Sequence, residues 1–107
     1  MQFSEKVRVL RVSRHLTQQQ LAEQMGVSVS YICKVENDGL QFGDYPSETF
    51  IQRLAATLNA DEYDLMMLAD KIPESIRIRI RERPTLFKAI AKLDDQGLDR
   101  LTLQLTN

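Results

Sequence analysis

The fold is decided by residues 16–37, which read LTQQQLAEQMGVSVSYICKVEN. Thr17 and Gln20 have the spacing of a capping box, so a helix is predicted to begin directly after Thr17. Gly26 suits the left-handed turn that commonly follows the last residue of a helix. Ser28 is a favourable N-cap, so a second helix is predicted to start after it. The stretch therefore predicts two short helices joined at a glycine turn.

The second of these helices, predicted over roughly 29–37, has two different faces. Ile32 and Val35 are apolar and three residues apart, which predicts that they are buried. The other face carries small or polar side chains: Val29, Ser30, Cys33, Lys34 and Asn37. Because no bulky group blocks that face, it can approach the edge of a base pair. This is the layout of a helix-turn-helix, whose second helix enters the major groove of DNA.

The sequence on either side of this unit also predicts helices. Upstream, Ser4 is predicted to cap a helix that ends near His15. Downstream, residues 37–46 contain the Gly, Asn, Asp and Pro residues of a loop. Ser47 and Asp61 are then predicted to cap two further helices. The expected fold is all-α, with five helices before a C-terminal extension.

Residues 71–107 form that extension, after a five-helix domain over residues 1–70. Residues 76–81 alternate Ile and Arg, which is a strand pattern, but isoleucines four apart also fit one helical stripe. The helical neighbours favour a helix there. Pro84 and Asp94 are predicted to begin two more helices. The leucines of the last helix fit either an internal core or a dimer seam: Leu98, Leu101 and Leu105.

Composition and charge limit the class of protein. The chain has 107 residues, 43% of them hydrophobic and 27% charged, which excludes a disordered or disulfide-built protein. The formal net charge of -1 is unevenly distributed. Residues 37–70 hold seven acids and one base, whereas residues 71–93 hold seven bases and two acids. Local charge, not net charge, must therefore decide whether nucleic acid binds.

Chemistry-bearing residues are few. The single cysteine, Cys33, and the single histidine, His15, exclude an internal disulfide and a Cys/His zinc cage within one chain. Neither a Gly-rich phosphate loop nor a nucleophile with a placed base is evident, so we expect no enzyme activity, metal or cofactor. The longest apolar run, residues 65–69, is far too short to cross a membrane. We expect a cytoplasmic protein without a membrane partner.

Several spaced motifs resemble one family, the Cro and phage-repressor type of DNA-binding domain, also called Xre-like. The matching motifs are Leu16-Thr17-Gln18, Leu21-Ala22, Met25-Gly26-Val27-Ser28, Ser30-Tyr31-Ile32 and Val35-Glu36-Asn37. The resemblance extends over roughly residues 3–70. It implies a five-helix domain that binds double-stranded DNA.

The resemblance also implies roles for individual residues. Those implied to face the bases are Val29, Ser30, Lys34 and, beside them, Cys33. Those implied to lie near the DNA backbone are Gln18, Ser28, Tyr31 and Asn37. Arg11 and Glu36 match a family salt bridge that supports the second helix, and Gly26 supports the turn. The chain departs from the family at His15, where glycine is common.

Two functions follow as expectations. The first is sequence-specific DNA binding in transcriptional control, as a repressor that binds as a homodimer joined through residues 71–107. The alternative is an antitoxin-like module that binds a protein partner and binds DNA only secondarily. Asp38 and Asp44, in a loop that is often basic in the family, and the size of the extension motivate this alternative.

Overall fold

The computed structural model describes residues 1–37 and 46–106. Its helices are α1 (Phe3–Ser13), α2 (Gln18–Met25), α3 (Val29–Glu36), α4 (Glu48–Leu58), α5 (Glu62–Leu68), α6 (Glu74–Glu82), α7 (Pro84–Ala91) and α8 (Asp95–Thr106). The described residues contain no strand, so the predicted all-α class is confirmed. Asp38 and Asp44 of the predicted loop lie outside the described residues.

Capping residues fix most of the helix starts, as predicted. The Thr17 hydroxyl accepts a hydrogen bond from the Gln20 backbone at 3.0 Å. The Gln20 side chain accepts one in return from the Thr17 backbone at 2.8 Å, which completes the capping box. Ser47 and Asp61 accept backbone N–H groups from the first turns of α4 and α5. Each of these helix starts is therefore determined locally, by a capping side chain and a backbone N–H group no more than three residues further along the chain.

The start of α1 was predicted wrongly. Ser4 does not cap α1 but lies inside it, only 8% exposed. The N-cap is Gln2, whose side chain makes no capping hydrogen bond. Phe3, the first helical residue, packs against the core. Tertiary packing of this first turn overrides the local preference of serine for a cap.

Residues 74–82 form a helix and not a strand. The Glu74 carboxylate lies 2.8 Å from the Arg77 guanidinium and 3.3 Å from that of Arg81. Spacings of three and seven residues share one face of a helix, whereas they lie on opposite faces of a strand. The prediction of a helix here is therefore confirmed, and so is the start of α7 at Pro84.

The chain forms two compact units, Met1–Pro73 and Glu74–Asn107. The first holds α1 to α5 and a single hydrophobic core. Its buried apolar residues are Val7, Leu21, Ala22, Met25, Ile32, Val35, Phe50, Ile51, Leu54, Ala55, Leu58, Leu65 and Met66. Every helix of this unit contributes to that core, so the orientation of α2 and α3 depends on the packing of all five.

The second unit contains α6, α7 and α8, and α6 packs against α7. None of the residues described in these three helices is buried. Several of their large apolar side chains are exposed, with Leu105 reaching 76%, and the others are half-buried: Ile80, Phe87, Ile90 and Leu101. Within residues 1–37 and 46–106, no helix combines the length and apolar character needed to span a bilayer.

His15, between α1 and α2, has a φ of 59°, in the left-handed region that disfavours residues with a Cβ. This is the position at which the related family commonly has glycine. The left-handed conformation costs an L-residue about 1–2 kcal/mol, while glycine costs about 0.4–1 kcal/mol more in unfolded-chain entropy. His15→Gly is therefore expected to raise the free energy of unfolding by about 0.5–1 kcal/mol.

Urea denaturation measures this change, and Gln19→Gly is the matched control. Gln19 is exposed within α2, so glycine there should lower stability by about 1 kcal/mol. A His15→Gly protein that is less stable than the parent by about 0.4–1 kcal/mol, which is the entropic cost of glycine alone, would show that the left-handed residue carries no strain.

Candidate nucleic-acid interface

The turn between α2 and α3 has the geometry that its glycine predicts. Gly26 adopts a φ of 68° and a ψ of 32°. Its N–H donates to the Glu23 carbonyl at 3.2 Å, and the Val27 N–H donates to the Ala22 carbonyl at 3.0 Å. A Cβ at Gly26 would meet only the Arg53 guanidinium, at 4.0 Å. The requirement for glycine is therefore conformational and not steric.

Helix α3 divides into an inner and an outer face. Ile32, Val35 and Glu36 are buried on the inner face. The exposed outer side chains are Val29, Ser30, Cys33 and Lys34. Val29 is 46% exposed although it is apolar, and Lys34 is the basic residue of the last turn. The four residues predicted to face bases therefore lie together on the solvent side.

A largely buried ion pair supports the inner face of α3. The Arg11 Nε lies 2.6 Å from the Glu36 Oε2, with the two side chains 13% and 1% exposed. Arg11 also donates from Nη2 to Oε1 at 2.9 Å and from Nη1 to the Leu16 carbonyl at 2.7 Å. One guanidinium thus ties α1 to α3 and to the segment before α2.

Gln18 joins this pair. Its side-chain Nε2 donates to the Glu36 Oε1 at 3.2 Å. Gln18 is half-buried at the first position of α2, so the carboxylate contacts side chains from α1 and α2 at once. Sequence reasoning paired Arg11 with Glu36 but gave no indication of this third member.

The two residues implied to lie near the backbone at the start of α3 are both engaged with the protein. The Ser28 hydroxyl accepts from the Tyr31 backbone at 3.1 Å and so caps the helix. The Tyr31 ring meets the Phe50 ring edge-on, with centroids 5.2 Å apart and an interplanar angle of 87°. This contact fixes the start of α3 against α4.

Asn37 ends α3. Its side-chain amide donates to the Cys33 carbonyl at 2.8 Å and contacts the Cys33 sulfur at 3.2 Å. Cys33 is an exposed free thiol. Asn37 thus closes the last turn of the helix on its outer side, where both residues are exposed.

Arg53 of α4 is a supporting residue that sequence reasoning missed. Its Nη2 donates to the Met25 carbonyl, the last of α2, where a cation also complements the helix dipole. Thr57, one turn further along α4, contacts the Met25 sulfur at 3.3 Å. The sequence feature that could have identified Arg53 is that it is the single basic residue among residues 37–70.

Two short helices at a glycine turn, the second with an exposed outer face of small or polar side chains, define a helix-turn-helix DNA-binding domain. A family model described as helix-turn-helix matches residues 7–65, more than half of the chain. The chain belongs to this Cro- and Xre-like helix-turn-helix family, which confirms the resemblance seen in the sequence. It is a DNA-binding transcription regulator by class.

A solved structure has a similar fold. It is a chain of the SinR protein/SinI protein complex, with a TM-score of 0.54 and 18% sequence identity. The similarity covers 98% of this chain and 99% of that chain. At this identity the likeness concerns the fold, and it includes the region of the extension as well as the DNA-binding domain. Comparison with curated proteins gives no match.

Proposed function

We propose that this protein binds specific duplex DNA sequences through the outer face of α3 and represses transcription by occupying a promoter. The observation that carries the proposal is the division of α3. Its inner residues belong to the core and to a largely buried ion pair, whereas its outer residues are exposed and either small or polar. Such a helix can enter the major groove without a change in fold.

The outer side chains suit direct base recognition. Lys34 can donate to guanine O6 and N7, and Ser30 can donate to several acceptors. Val29 can contact the methyl group of a thymine. Cys33 lies beside them as a small neighbour that leaves room for the base edge.

The proposed backbone contacts flank this surface. They come from Gln18, Ser28, Tyr31 and Asn37. The Ser28 hydroxyl accepts from the Tyr31 backbone and still has its own hydrogen to donate to a phosphate. Such contacts position the protein on the duplex but do not read its sequence. Selection of bound duplexes from a random DNA pool tests the proposal directly, because a recurring sequence motif is expected.

The two kinds of contact give different mutational results. Lys34→Ala is expected to weaken binding to the selected sequence by about 1–3 kcal/mol and to relax the preference at one base position. Gln18→Ala is expected to weaken binding to all sequences nearly equally, because a phosphate contact carries no base information.

Titrations of both variants against the selected duplex and a random duplex, at one salt concentration, measure this difference. Equal losses on both duplexes in both variants would show that the roles assigned to Lys34 and Gln18 are wrong.

The proposal includes a homodimer joined through residues 71–107. The described side chains of α6 to α8 include no buried residue, although short helices need tertiary packing to be stable in water. A second copy would cover their exposed leucines. Dimers of this motif contact half-sites about 34 Å apart, one turn of duplex, so the selected sequence is expected to be a palindrome.

A second candidate function is that of an antitoxin-like module, which binds a protein partner and binds DNA only secondarily. The exposed apolar side chains of the extension favour it. The similar solved structure is a complex of two proteins, SinR and SinI. A toxin-sized reading frame next to the gene would favour this candidate, whereas tight palindrome binding by the purified chain alone favours the first.

A further inference from the structure

We propose that Glu36 is a positioning residue for the DNA backbone, because its buried carboxylate aims the side-chain amide of Gln18. The proposal rests on the proposed function, which places Gln18 beside a phosphate. It gives the buried ion pair a role in binding in addition to holding α1 and α3 together.

The Glu36 carboxylate is held rigidly. Its two oxygens accept from Arg11 Nε at 2.6 Å and from Nη2 at 2.9 Å, the fork geometry that fixes both groups in one orientation. The Glu36 side chain is also 1% exposed, so it has no room to rotate toward a new partner. The position of its Oε1 is therefore set before Gln18 binds it.

The orientation of the Gln18 side-chain amide is set by the Glu36 Oε1. An ionised carboxylate can only accept, so the amide nitrogen of Gln18 must face Glu36 and the amide oxygen must face away. The Nε2 to Oε1 distance of 3.2 Å agrees with this orientation. The amide nitrogen carries two hydrogens, and the planar group fixes the direction of the second when the first is bonded. That second N–H is the donor for a phosphate oxygen.

A neutral side chain at position 36 would remove the preference of the Gln18 amide for a single orientation. Glutamine offers both a donor and an acceptor, so Gln18 could turn its own oxygen or nitrogen toward it. In the reversed orientation the Gln18 nitrogen no longer has the direction that reaches the phosphate. Glu36→Gln keeps the size of the side chain and an oxygen for Arg11, so it is the suitable substitution.

The experiment is a double-mutant cycle on the full chain, with dissociation constants measured for one selected duplex and one random duplex. In the parent, Gln18→Ala is expected to weaken binding to both duplexes by about tenfold, as for a hydrogen bond to a charged group. In the Glu36→Gln background, the same substitution is expected to weaken binding by less than about twofold, because the contact is already lost.

Gln19→Ala is the matched control. Gln19 is the next residue of α2 and bonds Glu23 at 3.3 Å instead of Glu36, so its effect should be small and equal in both backgrounds. If Gln18→Ala costs the same in both backgrounds, Glu36 has only a structural role and the proposal is wrong. If the parent binds no duplex at all, the proposed function fails first and this proposal fails with it.

A second measurement needs no variant and covers the case in which Glu36→Gln does not fold. In the free parent protein, NMR relaxation is expected to show an ordered Gln18 side-chain amide, with an order parameter of about 0.8, and a mobile Gln19 side-chain amide, with an order parameter below about 0.6. Equal mobility of the two side chains would contradict the proposal.

Discussion

Leu105→Asp is expected to convert the proposed homodimer to a folded monomer and to weaken binding to a palindromic site by about 10²–10⁴-fold. Leu105 is 76% exposed in the single chain, so a charge there costs the isolated fold little. With Leu98 and Leu101 it forms one stripe of α8, at spacings of three and four residues. Without that stripe the two DNA-binding domains are no longer linked, so each contacts its half-site independently and weakly.

Leu103→Asp is the matched control for this effect. Leu103 lies on the same helix and is 65% exposed, but it faces away from the stripe by helical spacing. We expect this variant to remain dimeric and to bind the palindrome tightly. Sedimentation of both variants measures their oligomeric state, and titration with the palindromic duplex measures their affinity. A Leu105→Asp protein that still dimerises and binds like the parent would place the interface elsewhere in the chain.

Glu36→Ala is expected to lower the free energy of unfolding by about 3–5 kcal/mol, because it leaves the Arg11 charge without its carboxylate in a largely buried site. Arg11 is 13% exposed, so water replaces the lost partner only in part. Gln18 loses its acceptor in the same variant. Domains of this size have a total stability of about 5–15 kcal/mol, so a thermal melt should shift by more than about 10 °C.

Glu23→Ala controls for the loss of a carboxylate. Glu23 is exposed on α2, and its carboxylate accepts a hydrogen bond from the Gln19 side chain at 3.3 Å. An exposed interaction of this kind is worth less than about 1 kcal/mol. Similar melting temperatures for the two variants would mean that the Arg11–Glu36 pair contributes no more than a surface contact.

Much of the fold could be predicted because its signals are local. Thr17, Ser47 and Asp61 each bond a backbone group within three residues, so the sequence alone indicates where those helices begin. Ser4 has the same chemistry, yet it lies inside α1 because the Phe3 side chain packs on the core. The spacing of Phe3, Val7 and Leu10 at i, i+4 and i+7 already indicates that the first turn packs on the core, and this signal outweighs the capping preference of Ser4.

The candidate interface could be predicted in part for the same reason. The outer face of α3 follows from helical spacing, since Ser30, Lys34 and Asn37 are four and three residues apart and fall away from Ile32 and Val35. The bond from Gln18 to Glu36 joins residues 18 positions apart, and it depends on how α2 packs against α3. Arg53 reaches the Met25 carbonyl over 28 positions. Such contacts arise from the packing of helices and leave no periodic trace in the sequence.

The division of α3 into two faces also bears on how such a protein evolves. Substitutions at exposed positions such as Val29, Ser30 and Lys34 change stability by no more than about 0.5 kcal/mol, whereas Ile32 and Val35 are fixed by the core. If the outer face reads bases as proposed, mutations that alter the preferred DNA sequence can therefore accumulate without unfolding the protein. A duplicated gene could acquire a new target site through a few changes on one side of an eight-residue helix, while the scaffold that presents it stays the same.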